Sequence, residues 1–401
     1  MENIQQTPEN TVTVPVRGRM VSPDVLRVFA VWAVISIHFL LYNGFYDQPI
    51  EGVNMIIMLV LRMIVSSCVP LFIILTGYLS LNKTLTKSHY AKGMKVIWLY
   101  LLTMIPIVIY RVSIKHNMKL EDAIWGILRF NGTAPYAWYI EMYIGLYLLI
   151  PFINILYKNI PSKNWKKVLI FTCFALNSLP KIINVYNFTT AGWWSDTTLS
   201  TAYQRLIPQW WLFGYPLTYY LIGAYIREYG LGLGKLTKKL LFVVTIALTT
   251  LYMLWRAPEG KFAWGAWIDW DSPLVMVSGT LLASMFLEHE FRRMPSWLAA
   301  VFGYLSGMSL QIFILTYIFD NEYYVLLKQW IPNMPDRLWA YIPMVLAIFL
   351  SATGIAVVID LVYRLFGFLY GKIKARFKHA EVTEPAAAEI NNDNPNEIQG
   401  G

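Results

Sequence analysis

The sequence predicts an all-α, polytopic integral membrane helix bundle. Three observations carry this. The 401-residue chain is 57% hydrophobic and only 14% charged, far from the balance of a large soluble core. Its apolar residues fall in runs of about twenty, the length that crosses a hydrocarbon core of about 30 Å. Lys and Arg concentrate in alternate segments between those runs, the asymmetry that the positive-inside rule describes.

Taken in order, residues 1–21 are polar and carry Pro8 and Pro15; they predict a disordered cytoplasmic tail. The first apolar run is too long for a signal-peptide core, so no cleavable leader is expected. About ten spans follow, near 23–43, 53–80, 94–112, 137–157, 167–186, 208–228, 238–255, 272–288, 298–319 and 338–366. The fifth contains Asn177 and Pro180, and the eighth is short. With the N-terminus inside, the inner segments hold about twice as many Lys and Arg as the outer loops. Both termini are therefore expected in the cytoplasm, and the chain in a plasma or inner membrane. Residues 367–401 predict a basic stretch and then a disordered tail rich in Ala, Glu, Asn and Pro. No segment outside 22–366 is long enough to bury a second core.

Composition also excludes. The net charge of +9 belongs to basic loops at a lipid surface, not to nucleic-acid binding. Cys68 and Cys173 both fall in apolar runs and form no metal or disulfide framework. No HExxH, paired CxxC, Walker loop or GxSxG is present, which argues against a zinc protease, a nucleotide-driven pump and a standard serine hydrolase.

The first span, Ser22 to Phe39, carries Asp24, Arg27 and His38. Ionisable side chains at membrane depth are costly and mark function. Arg27 and His38 are eleven residues apart, which returns to within about 20° of the same helix face and about 16 Å further along the axis. Arg27 would lie near the inner surface and His38 nearer the outside. Arg62 lies within the second span. Glu141 enters the fourth span from outside, at a depth like that of His38. It could orient the imidazole, neutralise Arg62, or be a hydrated interfacial carboxylate. Pro70 breaks the second span and Gly77 admits a close backbone. Two outer loops pair Trp with Asp: Trp193, Trp194 and Asp196, then Trp264, Trp267, Asp269, Trp270 and Asp271. Such pairs suit sugar rings and equally suit an interfacial belt.

These segments resemble the membrane acyltransferase-3 family. Asp24, Leu26, Arg27, Ala30, Val34 and His38 fit its first-helix signature. Arg62, with Val69-Pro70-Leu71-Phe72 and Thr76-Gly77-Tyr78, is similar to its second-helix pattern. Trp138-Tyr139, Gly145-Leu146-Tyr147 and Pro151 resemble its aromatic fourth motif. Where the family often has a His near the ninth span, this chain has Thr316, so no catalytic role is expected there. The resemblance is to stand-alone members, without an appended extracytoplasmic hydrolase-like domain.

The resemblance implies an acyl-CoA donor from the cytoplasm, acetyl-CoA by family habit, and a hydroxyl of an extracytoplasmic surface glycan or lipid-linked oligosaccharide as acceptor. It implies no bound cofactor. His38, Arg27 and Glu141 are the expected catalytic residues, with Arg27 anchoring the donor and His38 acting as general base or as acylated nucleophile. Asp24, Arg62, Tyr78, Trp138 and Tyr139 are expected at the substrate, and Arg62, Tyr78 and Tyr139 are candidates to stabilise an oxyanion. Two other readings fit a ten-span chain with intramembrane charges: a transporter or flippase for a lipid-linked sugar, and an inactive partner of a glycan synthase. The halves show no clear inverted repeat, which weighs against the transporter.

Overall fold

A computed structural model describes residues 20–383, except 131, 197–203, 258, 259 and 266. The tails expected at the two ends lie largely outside the described residues. Among the described residues the structure is helical, with one isolated antiparallel bridge between Pro49 and Lys261.

Helix α1, Val21–Tyr42, is the centre. Fourteen of its 22 residues are buried, so it has no solvent or lipid stripe of the usual width. Leu26, Ala30 and Val34 pack into one apolar cluster, and Val31, Ile35 and Phe39 into another. Helices α2 (Gly52–Val65) and α3 (Cys68–Ser80) form one span broken at Ser66 and Ser67. Pro70 causes the break: its ring cannot pack over the carbonyl of Ser66, four residues back. The freed ends are capped locally, Ser66 Oγ donating to Arg62 O and Ser67 Oγ to Ile64 O.

Helix α4 (Lys87–Val108) starts at Thr86, whose hydroxyl accepts from His89 N, and widens into a π turn over Ile109–Ile114 just past Pro106. The short α5 (Leu120–Leu128) leads to α6 (Trp138–Lys158). Then come α7 (Lys163–Asn177), the single turn α8 (Pro180–Ile183), α9 (Tyr215–Tyr229), α10 (Lys235–Arg256) and α11 (Pro273–Leu287). Gly77 of α3 and Gly223 of α9 let those helices touch backbone to backbone: a Cβ on Gly77 would lie 2.0 Å from Tyr220 O, and one on Gly223 1.9 Å from Ile74 O. The expected role of Gly77 is thus seen directly.

Helices α12 (Ser296–Gly307) and α13 (Ser309–Trp330) meet at 71°. Helix α14 (Tyr341–Thr383) runs on without a break past residue 366. Among the described residues, six helical stretches are long and apolar enough to cross a membrane, and a seventh if the bent α12–α13 pair counts as one. The other three expected spans fall on the shorter helices α7, α9 and α11. Helices α7, α9 and α11 have 15 residues each, about 22 Å at 1.5 Å per residue, short of a 30 Å core. Asn177 ends α7 and Pro180 opens α8, so the expected fifth span is cut where its polar residue and proline stand. Exposed apolar side chains, among them Trp98, Leu148, Val243 and Leu346, give α4, α6, α10 and α14 the outward faces of a lipid-embedded bundle.

Beyond the far end of α1 the loops close over the bundle. Arg337 Nη1 donates to Asn43 O, and Asn54 Nδ2 to Pro335 O.

Candidate active site

The C-terminal half of α1 delivers His38 into a buried polar cluster. His38 is 7% exposed, and its Nδ1 lies 2.9 Å from Oδ2 of Asp320 on α13. Asp320 is wholly buried. The Tyr136 hydroxyl donates to the same oxygen at 2.7 Å and lies 2.9 Å from the Tyr42 hydroxyl. The Tyr136 ring stacks on the imidazole at 4.1 Å. With Nδ1 bonded to a carboxylate, Nε2 is the nitrogen able to take a proton.

Eleven residues earlier, Arg27 Nη1 donates to Ser306 Oγ at 2.8 Å, at the end of α12. Arg27 lines a cavity of about 280 Å³ together with Lys92 and Lys95 of α4. Ser306, Gly307, Ser309 and Gln311, around the α12–α13 break, form another wall. The cavity reaches Val34, one turn before His38 on α1, and Phe313. Phe313 stacks on Tyr136, which stacks on His38.

A second cavity, of about 700 Å³, is walled by Arg62, Trp138, Glu141, Trp264, Trp270 and the carboxylates Asp269 and Asp271. Trp138 and Trp270 stack at 4.5 Å. Arg62 is buried and donates to the hydroxyls of Tyr46 and Ser66, with its guanidinium 5.6 Å from the Phe262 ring centre. Lys181 bridges Asp269 at 2.9 Å and Asp271 at 3.5 Å. Burial pushes the Asp271 carboxyl up to about 6, against the pull of Lys181. Trp138 faces this cavity and Tyr139 the first, so the start of α6 lies between the two.

The expected site residues therefore divide. His38 has Asp320 as its Nδ1 partner, not Glu141. Glu141 is exposed on the wall of the second cavity, because Tyr136 and Ile140 occupy the face of this segment that packs inward, about 100° away from residue 141. Tyr139 lines the cavity of Arg27, while Arg62 and Trp138 line the other. Tyr78 is remote from His38: its hydroxyl accepts from Arg227 Nη1 at 3.2 Å, at the end of α3 distant from Arg62. Asp24 is buried in the first turn of α1, where a carboxylate suits the helix dipole, and it lines neither cavity. Thr316 is buried and donates to Phe313 O, one turn before Asp320. Of the tryptophans expected at sugar, Trp193 is fully buried, whereas Trp264 and Trp270 line the second cavity. Among the described residues no three His, Cys, Asp or Glu side chains converge as a metal ion needs.

Asp320 was not among the expected residues, nor were Tyr136 and Tyr42. The signal for Asp320 was present in Ser306-Gly307-Met308-Ser309, where a Gly between Ser residues can break a helix and carry the following segment deeper.

The acyltransferase domain of the acyltransferase-3 family matches residues 20–361. The chain belongs to the acyltransferase-3 family. It is a multi-pass membrane acyltransferase, and the Arg27 and His38 stripe lies within the matched region. Comparison with curated proteins and with solved structures finds no match.

Proposed function

We propose that this acyltransferase moves an acyl group, most simply acetyl, from acyl-CoA at the Arg27 cavity to a sugar hydroxyl at the Trp264 cavity. The observation that carries the proposal is the His38–Asp320 pair standing beside the stack that ends the first cavity. Arg27, Lys92 and Lys95 supply charge for the donor's phosphates. Trp138, Trp264 and Trp270 offer apolar platforms for sugar rings, and Asp269, Asp271 and Glu141 accept from hydroxyls. The acceptor is a surface glycan or its lipid-linked precursor outside a plasma or inner membrane, and the donor enters from the cytoplasm.

In the reaction, His38 Nε2 takes the proton from the acceptor hydroxyl as its oxygen attacks the thioester carbonyl. The C–S bond breaks, and the imidazolium returns its proton to the departing thiolate, leaving an ester and free coenzyme A. Asp320 holds the ring and its charge throughout.

Membranes bearing the protein, given labelled acetyl-CoA and glycan acceptor, test this. Expected is an alkali-labile labelled ester that falls at least about 100-fold in His38→Ala. Near wild-type turnover by folded His38→Ala overturns the assignment.

A further inference from the structure

Gln311 stands in the first turn of α13, on the wall of the Arg27 cavity. It is 1% exposed, and its side-chain oxygen Oε1 is buried with no hydrogen-bond partner. An amide oxygen taken from water and left unpaired costs free energy, so a native structure that keeps one beside a cavity calls for an explanation. The neighbouring wall residues do not supply one: Arg27 is bonded to Ser306, and Val34, Ile140 and Phe313 are apolar.

Its position narrows the ligand. Lys92 and Lys95, the α4 cations on the same cavity, are exposed. Asp320, which holds His38, lies nine residues further along α13, about 14 Å at 1.5 Å per residue. Gln311 thus sits between a place suited to phosphate and the place of acyl transfer. What must pass there, on the donor reading above, is a thin chain whose polar groups are secondary amides. A secondary amide offers the N–H that Oε1 lacks, while its carbonyl can accept from the Gln311 amide nitrogen.

We infer that Gln311 is a donor-binding residue that pairs with an amide of the pantetheine arm and so sets the depth of the thioester. The inference rests on acyl-CoA being the donor. It assigns the cavity two kinds of recognition: charge at Arg27, Lys92 and Lys95, and an uncharged amide pair at Gln311. A site that hydrogen-bonds its ligand rejects analogues lacking the group, because the buried partner is then left unpaired.

The test separates the two by fragments. Purified full-length protein in detergent is titrated calorimetrically with coenzyme A, with pantetheine, and with adenosine 3′,5′-bisphosphate. Gln311→Leu, and Gln311→Met as a second variant of similar size, are expected to weaken coenzyme A and pantetheine by the same factor, about tenfold or more, and to leave the bisphosphate unchanged. Lys92→Gln with Lys95→Gln is expected to give the converse, weakening coenzyme A and the bisphosphate only. Unchanged pantetheine binding in a folded Gln311 variant, or an equal loss for the bisphosphate, overturns the role of Gln311. Failure of the wild-type protein to bind either coenzyme A or pantetheine overturns the donor assignment itself, a distinct result.

Discussion

His38 Nδ1 lies 2.9 Å from Asp320 Oδ2, which ties the central helix α1 to the bent α12–α13 unit at the depth where chemistry is expected. Arg27 and Ser306 make a second tie between the same two units. The spacing on α1 is eleven residues, and from Ser306 to Asp320 it is fourteen, so the two ties lie at two levels of one cleft. The cavity lined by Arg27 and Ser306 reaches from the second tie toward the first. Both helices are needed to build the site, and neither carries it alone.

Asp320→Asn keeps the size of the side chain but changes what it offers Nδ1. An amide NH₂ donates where the carboxylate accepted, which shifts the imidazole proton to Nε2 and removes the base. Turnover is expected to fall about 10² to 10⁴-fold with little change in donor KM. Steady-state kinetics in membranes check this. An unchanged kcat would mean that the pair is structural.

Tyr136→Phe retains the ring stacked on His38 and removes the hydroxyl that donates to Asp320 Oδ2 at 2.7 Å. Asp320 Oδ1 is already buried without a partner, so the carboxylate loses a charge-assisted bond it cannot replace nearby. Such a bond contributes about 1.5 to 3 kcal/mol. Activity is expected to drop about tenfold or more, with the melting temperature lowered in parallel. Tyr42→Phe, one bond further out, should cost less in both measurements.

Much of this was legible in the sequence, and the limit was geometric. The Arg27 and His38 stripe follows from helical periodicity alone, because both residues belong to one element. That Gly77 admits a close backbone was legible because glycine carries no side chain, but its partner on α9 was not. Asp320 was hidden because a straight ninth span of about 22 residues ends at residue 319. The 71° bend at Met308 shortens the first half, and α13 then carries Asp320 to the level of His38. Of the three readings of Glu141, the one as His38's orienter fails because its direction around α6 depends on which neighbours that helix meets; it shares a cavity with Arg62 instead. Contacts between helices are not written in the spacing of either one.

The α3–α9 contact predicts a contrast between glycines. Gly223→Ala would place a methyl 1.9 Å from the Ile74 carbonyl, a backbone atom that cannot swing aside. Separating α3 from α9 should cost about 1 to 3 kcal/mol or more and lower the melting temperature by several degrees. Gly145 of α6 has open space at its Cβ position, so Gly145→Ala should leave stability unchanged or raise it by a few tenths of a kcal/mol. Thermal unfolding of both variants in the same detergent decides the point. Equal effects would show that the close approach is not limiting.

Asp271 predicts a pH signature. Burial raises its carboxyl to about 6 from an ordinary value of 3.8, while Lys181 pulls it down less strongly. A folded-state value above the unfolded one means that folding takes up a proton between them. The stabilising contribution is therefore full below about pH 4 and is lost as pH rises through about 6, amounting to about 3 kcal/mol at most. Asp271→Asn should flatten this dependence, so that stability relative to wild type improves from pH 4 to pH 7. Melting curves across that range measure it, and parallel curves for both proteins would sink it.

Trp264 gives the most direct test of the second cavity, because it is 58% exposed and can be removed at little cost to packing. Its ring lies 4.3 Å from that of Tyr46, whose hydroxyl accepts from Arg62. Trp264→Ala thus deletes an aromatic platform while leaving the buried guanidinium bonded to Ser66. If this cavity holds the acceptor sugar, KM for the glycan should rise about five- to tenfold, the worth of one ring contact. KM for acyl-CoA should not move, since Trp264 has no part in the Arg27 cavity. Arg27→Gln should give the reverse pattern, a raised donor KM at constant acceptor KM. A Trp264 variant that alters both constants together would mean that the two cavities are not separate sites.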